Sequence, residues 1–236
     1  MSELIFVRHG QATFGEDSYD KLSTTGHEQV KHLSSHWLAL GEQFDCIYSG
    51  SLRRQIETAD RLMSHIKDAP EGSLIHPGFN EYPGDPLIRV YLRDHGVGDG
   101  HPDSLRLPIV EERLFQKVFE SAAGRWIKDE LLPNGEDSDF ETYRQFQQRV
   151  HGAIDELMTR HQRGSRVVVA TSGGVIALAL QRVLGFSDEQ VIATNWMVYN
   201  SSVTRIRYGN GKISLTGFNG LAHLEKPELR HMITFR

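Results

Sequence analysis

The stretch Leu4-Ile-Phe-Val-Arg-His-Gly10 carries the first decision about this chain. A short β-rich run that stops in Arg-His-Gly delivers two polar side chains, Arg8 and His9, to the carboxyl end of a strand, where open α/β sheets bind ligands. Gly10 lets the chain turn away sharply. A neutral imidazole is a good nucleophile toward phosphorus, and a guanidinium beside it offers a planar fork of donors to a phosphate dianion. Alone, the tripeptide fits equally a strand-end histidine bonded to backbone beside a solvated arginine, so the rest of the chain has to decide.

A second segment, Tyr48-Ser-Gly-Ser-Leu-Arg-Arg-Gln-Ile-Glu-Thr58-Ala59, follows a short predicted strand, Asp45 to Tyr48. It opens a helix whose apolar positions Leu52, Ile56, Ala59 and Met63 recur at helical spacing, and it places another arginine pair near a helix start. Upstream, Leu22-Ser-Thr-Thr-Gly26 leads into a helix with Thr25 and Glu28 spaced as a capping box, Val30, Leu33 and Trp37 on one face, and Gly41 at its end. With the Gly26 region and Phe79-Asn80-Glu81, these residues resemble the histidine phosphatase superfamily, the phosphoglycerate mutase-like proteins, over most of the chain. The resemblance implies that His9 is phosphorylated in turnover and that a second arginine lies four residues before the Thr58-Ala59 pair, which is Arg54. It also implies that Glu81, two places after Phe79, is the proton donor.

One departure from the family pattern bears on rate. After the predicted strand Arg166 to Ala170, most members carry a second catalytic histidine followed by glycine, whereas this chain has Thr171-Ser172-Gly173-Gly174. Ser172 can donate a hydrogen bond to a phosphoryl oxygen, and the helix start at Gly173 offers backbone amides and a favourable dipole. Serine cannot supply a positive charge. Losing one preorganised donor costs about 10²- to 10³-fold in rate, against a total of about 10²¹ over water for phosphate monoesters, so weakened activity follows more readily than none. His76 and His223 are candidates to compensate. Ala12 and Gly15 stand where many members have threonine and asparagine, with Gln11 placed to take over a polar contact to phosphate. The long mutase signature is absent around Glu81-Tyr82-Pro83-Gly84, which argues against a phosphoglycerate mutase.

At 236 residues and 39% hydrophobic content the chain can bury one sizeable core. A net charge of -5 gives no general pull toward nucleic acid or anionic membrane, so an anion site must be local. One cysteine, Cys46, excludes an intramolecular disulfide, fits a reducing compartment and reads as a buried small hydrophobe. The apolar run before Arg8 is too short for a signal-peptide core, and the stretch Val167 to Leu180 is broken by Thr171, Ser172 and two glycines rather than spanning a membrane. A soluble, cytoplasmic protein is expected; no oligomeric state follows.

Strand-like runs at Leu4 to Val7, Asp45 to Tyr48, Leu74 to His76 and Arg166 to Ala170 alternate with helical patterns, which predicts an α/β fold with a mostly parallel, helix-covered sheet. Ser202 to Arg207 and Lys212 to Phe218 flank Gly209-Asn210-Gly211 and predict an antiparallel hairpin at one edge. Between Tyr82 and Glu136 the rhythm lapses into a Gly-, Pro- and Asp-rich loop, then a helix with Val110, Leu114, Val118 and Phe119 on one face. We read 82–136 as a cap inserted over the site within a single domain covering 1–236, with Arg89, Arg93 and Arg106 in reach of a second anionic group. Helical spacing resumes from Phe140 through Tyr143, Phe146, Val150, Ile154 and Leu157. Asp94, His95, Asp99, His101 and Asp103 match no metal-ligand spacing and read as a solvated loop; Glu16-Asp17 reads as a solvated turn.

Two rival functions differ in chemistry. Ala170-Thr171-Ser172-Gly173-Gly174 nearly reproduces the Gly-x-Ser-x-Gly elbow of α/β-hydrolases, with Asp188 and His223 as formal partners for a Ser172 nucleophile. It leaves Arg8, His9, Arg54 and Glu81 idle. A catalytically impaired phosphate-binding or regulatory module would explain the missing histidine, but needs neither a nucleophile nor a proton donor. The reading favoured by the sequence is a phosphomonoesterase in which His9 attacks a small phosphate ester, Arg8 and Arg54 neutralise its oxygens, and Glu81 protonates the leaving group. Gln11, Ser172 and Gly173 complete the phosphate cradle. No metal or organic cofactor is required; the partner is a small-molecule phosphate ester or inorganic phosphate.

Overall fold

In the computed structural model residues 1–13, 20–66, 72–109 and 111–235 are described. Gly15, the Glu16-Asp17 pair and Val110 lie outside them.

The chain forms two compact units, one of residues 1–81 and 150–236, the other of 82–149. In the first, the described strands β1 (Ser2–Arg8), β2 (Cys46–Ser49), β3 (Leu74–Ile75), β4 (Arg166–Thr171), β5 (Val203–Gly209) and β6 (Lys212–Gly220) build one sheet of order β3-β2-β4-β1-β5-β6. The β1-β4, β2-β4 and β2-β3 pairs are parallel, and β5 and β6 run antiparallel to complete the edge hairpin. The fold is therefore α/β with a mostly parallel sheet. Its hairpin turns at Asn210 and Gly211, both at positive φ, as a tight two-residue turn demands.

The central strands are buried on both faces. Leu4 to Val7 and Val167 to Ala170 are fully covered, which is why they read as unbroken apolar runs rather than alternating ones. Ile5, Val7, Ile47, Val168 and Ala170 pack with Val30, Leu33 and Trp37 of α1 (Thr24–Ala39) and with Ala59 of α2 (Arg53–Asp60). Cys46 is half-buried, and burial above all pushes its thiol up to about 11, so it is held unreactive.

Helix α1 begins two residues earlier than the Thr25–Glu28 spacing predicts. Its cap is Ser23, whose hydroxyl oxygen accepts from the Gly26 N–H at 3.0 Å, and Thr25 falls inside the helix. Gly26 itself must be glycine: a Cβ there would lie 2.1 Å from the Gln11 carbonyl oxygen, and one on Gly10 would lie 2.4 Å from that of Gly26. The helix start and the tip of β1 are thus in backbone contact. In α2 the fully buried positions are Gln55, Thr58 and Ala59 rather than the Leu52-Ile56-Ala59-Met63 stripe, and two of the three are polar.

The turn before β5 clamps the same tip. Ser201 is at φ +58°, rare for a residue with a side chain, and its N–H donates to the Arg8 and His9 carbonyls at 3.1 and 3.2 Å. Its hydroxyl lies 2.8 Å from Nε2 of His223, a buried imidazole whose pKa burial lowers to about 3. Beyond β4, α6 (Gly173–Leu184) starts at Ser172 and α7 (Asp188–Met197) opens with a Ser187/Gln190 capping box.

The second unit contains α3 (Gly84–Tyr91), prolonged by a π turn over Leu92–Gly96, α4 (Glu112–Trp126) and the first turns of α5 (Tyr143–Arg160). Tyr82, Phe119, Trp126, Tyr143 and Phe146 make an aromatic core there. The segment read as a solvated Gly-, Pro- and Asp-rich loop is in part helical, and its acids are paired. Asp99 binds Arg125 and Tyr91, Asp94 binds Arg93, and Asp137 with Asp139 binds Arg89. Arg93 also reaches Asp137, and Arg106 donates to the Asp103 and Leu105 carbonyls. The charge of Arg89 and Arg93 is therefore met by carboxylates within the unit. Among the described residues no group of three or more His, Cys, Asp or Glu is arranged to hold a metal, and no helix is long and apolar enough to cross a membrane.

Because the folded imidazole of His223 titrates near 3 and the unfolded one near 6.5, the unfolded state takes up the proton first on acidification. Stability is full above the unfolded value and falls as the pH drops below it, at up to about 1.4 kcal/mol per pH unit from this group. Urea unfolding at pH 7 and pH 5 should show a smaller acid loss in His223→Asn than in wild type; equal losses would contradict a neutral, buried His223.

Candidate active site

The carboxyl ends of β1 and β4 lie side by side, with Arg8 in register with Thr171. His9 and Ser172 follow at the two tips. The His9 N–H donates to the Thr171 carbonyl at 2.8 Å, and the His9 carbonyl accepts from Ser201 N–H and from Asn200 Nδ2 at 3.3 Å. This backbone is held on both sides before any ligand arrives.

The imidazole of His9 is 6% exposed. Its Nδ1 lies 2.7 Å from the Gly10 carbonyl oxygen, which can only accept, so Nδ1 carries the proton. Arg54 Nε donates to His9 Nε2 at 3.2 Å, which requires a lone pair there. Burial first, then the charges of Arg54 and Arg8, lower its pKa well below 6.5, with the Gly10 bond opposing. His9 is thus a neutral imidazole with its Nε2 lone pair facing a cationic pocket.

Helix α2 aims Arg54 through Thr58. The Thr58 hydroxyl donates to the Arg54 carbonyl at 2.8 Å and accepts from the Gly10 N–H at 3.2 Å, tying the helix to the turn after His9. The spacing of four residues between Arg54 and Thr58 is one helical turn, so both face the strand tip. Arg53 faces solvent and binds Glu57 at 2.7 Å. Asp20, which sequence reading passed over, accepts from Arg54 Nη1 at 2.6 Å and from the Arg53 N–H at 2.8 Å. Arg8 donates from Nη1 to the Val198 carbonyl. Gln11 accepts at Oε1 from Ser23, while its N–H is taken by Oε1 of buried Gln29.

The other predicted residues gather at the start of α6. Glu81 Oε2 accepts from the Gly174 N–H at 2.9 Å, so that amide of the anticipated phosphate cradle is already engaged. Gly173 packs against α7, where a Cβ would meet Asn195 Oδ1 at 2.4 Å. Ser172 is buried, and its Oγ accepts from Gln55 Nε2 at 2.9 Å. Gln55, also missed from sequence, donates to the Phe79 carbonyl at 3.1 Å too, linking α2 to the segment that carries Glu81. Gln55 Oε1 has no hydrogen-bond partner among the described residues.

Neither candidate compensating histidine is committed to this cluster: His76 binds Glu156 and the Gly78 N–H, and His223 binds Ser201. The hydrolase triad fails for the same reason. His223 pairs with a different serine, Asp188 accepts from Gln181, and Ser172 faces an amide instead of an imidazole.

The histidine phosphatase superfamily (branch 1) matches residues 4–83 and 110–220, and the chain belongs to that family. No curated protein matches it. Among solved structures, it is similar to a mutant phosphoserine phosphatase from Entamoeba histolytica in complex with phosphoserine, at 18% identity and TM-score 0.63, covering 95% of this chain and 100% of that one. A phosphoglycerate mutase from Bacillus anthracis is similar at 18% identity and TM-score 0.64, covering 94% of each chain. A putative alpha-ribazole-5'-P phosphatase from Escherichia coli is similar at 21% identity and TM-score 0.63, covering 94% and 98%. At these identities the likeness establishes the fold.

Two outcomes follow from the site. Arg54→Ala should weaken binding of inorganic phosphate by about tenfold or more, the loss of a charge-assisted hydrogen bond, whereas Arg53→Ala should leave it near wild type; calorimetric titration distinguishes them, and equal losses would contradict the geometry. Since protonation removes the Nε2 lone pair, any activity that depends on His9 should hold as the pH falls through 6.5 and decline only well below it. A kcat/KM profile with its acid limb at 6.5 or above would show that His9 is not held neutral.

Proposed function

We propose that the protein is a phosphomonoesterase that works through a phosphohistidine intermediate on His9. The observation that carries the reading is the His9 ring itself, protonated at Nδ1 toward Gly10 and presenting its Nε2 lone pair beside Arg54. A structural histidine at a strand end has no need of a largely covered guanidinium at its second nitrogen.

In the proposed reaction Nε2 attacks phosphorus in line, the bond from phosphorus to the ester oxygen breaks, and Glu81 gives that oxygen a proton. Water then attacks the phosphohistidine, Glu81 takes a proton back, and inorganic phosphate leaves with His9 restored. Arg54, drawn from Nε2 and from Asp20, and Arg8 neutralise the phosphoryl oxygens. Ser172 donates a hydrogen bond where most members present a histidine. With one cationic donor fewer, turnover should be slow rather than absent. Hydrolysis is favoured over mutase chemistry by the segment Glu81-Tyr82-Pro83-Gly84, which lacks the mutase signature. Phosphoserine, the ligand of the Entamoeba enzyme, is a reasonable first substrate to assay beside a generic aryl phosphate.

Rapid quench with a labelled phosphate ester should give acid-labile, base-stable phosphate on the wild-type protein and none on a folded His9→Ala variant, whose turnover should vanish. Wild-type turnover in His9→Ala would overturn the mechanism. Tight phosphate binding with no turnover and no label would mean a binding module.

A further inference from the structure

We propose that Gln55 is a positioning residue that directs the hydroxyl hydrogen of Ser172 onto the bound phosphoryl group; the proposal rests on the phosphomonoesterase reading above. The orientation of the Gln55 amide follows from its neighbours. The Phe79 carbonyl oxygen, 3.1 Å away, can only accept, so the NH2 group must face it, and the same nitrogen lies 2.9 Å from Ser172 Oγ. Ser172 Oγ is therefore an acceptor toward Gln55.

Its hydrogen has to go elsewhere. The Phe79 carbonyl already receives Thr171 Oγ1 at 2.7 Å as well as Gln55, which fills both of its lone pairs. Ser172 caps α6 without a side-chain bond to that helix. Among the described residues no acceptor for it is found, and at the tip of β4, next to the tip of β1 that bears His9, a bound phosphoryl oxygen would be that acceptor.

Gly50 makes this pose achievable. A Cβ on Gly50 would fall 1.9 Å from Gln55 Oε1, so only glycine lets the amide lie where it does. Among the described residues the cluster keeps a buried amide oxygen without a partner, a poor choice for packing alone and understandable if the opposite end of the amide must hold Ser172. Gln55 thus acts through Ser172 rather than on substrate.

A double-mutant cycle on p-nitrophenyl phosphate hydrolysis tests this, with thermal melts to confirm folding. Gln55→Met should lower kcat about tenfold with KM little changed, as for one lost hydrogen bond in the transition state. Ser172→Ala should do the same, and the double variant should be no slower than Ser172→Ala alone. Gly50→Ala, which displaces the amide without altering Gln55, should mimic Gln55→Met and be silent in the Ser172→Ala background. Losses that multiply in the double variants, or a folded Gln55→Met or Gly50→Ala with wild-type kcat, would overturn the proposal. Absence of hydrolysis by wild type would instead contradict the phosphomonoesterase reading, and the proposal with it.

Discussion

A histidine pinned between a carbonyl and a guanidinium organises this unit. The Gly10 carbonyl fixes the proton on Nδ1 of His9, and Arg54 meets the lone pair on Nε2. Placing the ring there requires that the tip of β1 be held rigidly. Ser201 and Asn200 hold its carbonyl, Thr171 its N–H, and Thr58 the N–H of the following glycine. Burial makes the protonated ring expensive, and two nearby arginines raise that cost further, so neutrality is a consequence of position rather than of solvent pH.

The second consequence is electrostatic. Arg54 serves His9 and Asp20 at once, which keeps a largely covered guanidinium paired in the absence of anion. On the proposed reading, an incoming phosphate would replace one of these partners instead of meeting a bare charge. Across from it this chain has a neutral pair, Ser172 and Gln55, and Gln55 Oε1 has no partner among the described residues. An unsatisfied buried acceptor costs about 1–3 kcal/mol, a stability penalty that this arrangement carries.

Much of this was legible in the sequence because it depends on local pattern. The unbroken runs before Arg8 and Thr171 marked strands buried on both faces, and Gly209-Asn210-Gly211 marked the edge turn. The family resemblance, by its count of four residues back from Thr58, pointed to Arg54, and that is the arginine of the pair that lies beside His9. What escaped depends on tertiary partners. Ser23 outcompetes Thr25 as a cap because Gly26 must pack on Gln11 and fixes where the helix starts. The buried face of α2 is polar, so apolar periodicity pointed one step aside. Asp20 lies 34 residues from Arg54, and Gln55 lies 117 from Ser172, with no spacing rule to join them. In the second unit, acids that read as solvated are paired with arginines drawn from other segments.

The proposed chemistry depends on the protonation state of one ring, that of His9. Nitrogen-15 NMR of protein labelled in its histidines, with His9 assigned through His9→Ala, reports that state directly. The prediction is a proton on Nδ1 and a bare Nε2 at pH 7, unchanged as the pH falls through 6.5. A His9 ring protonated on both nitrogens near pH 6.5, or carrying its single proton on Nε2, would contradict it.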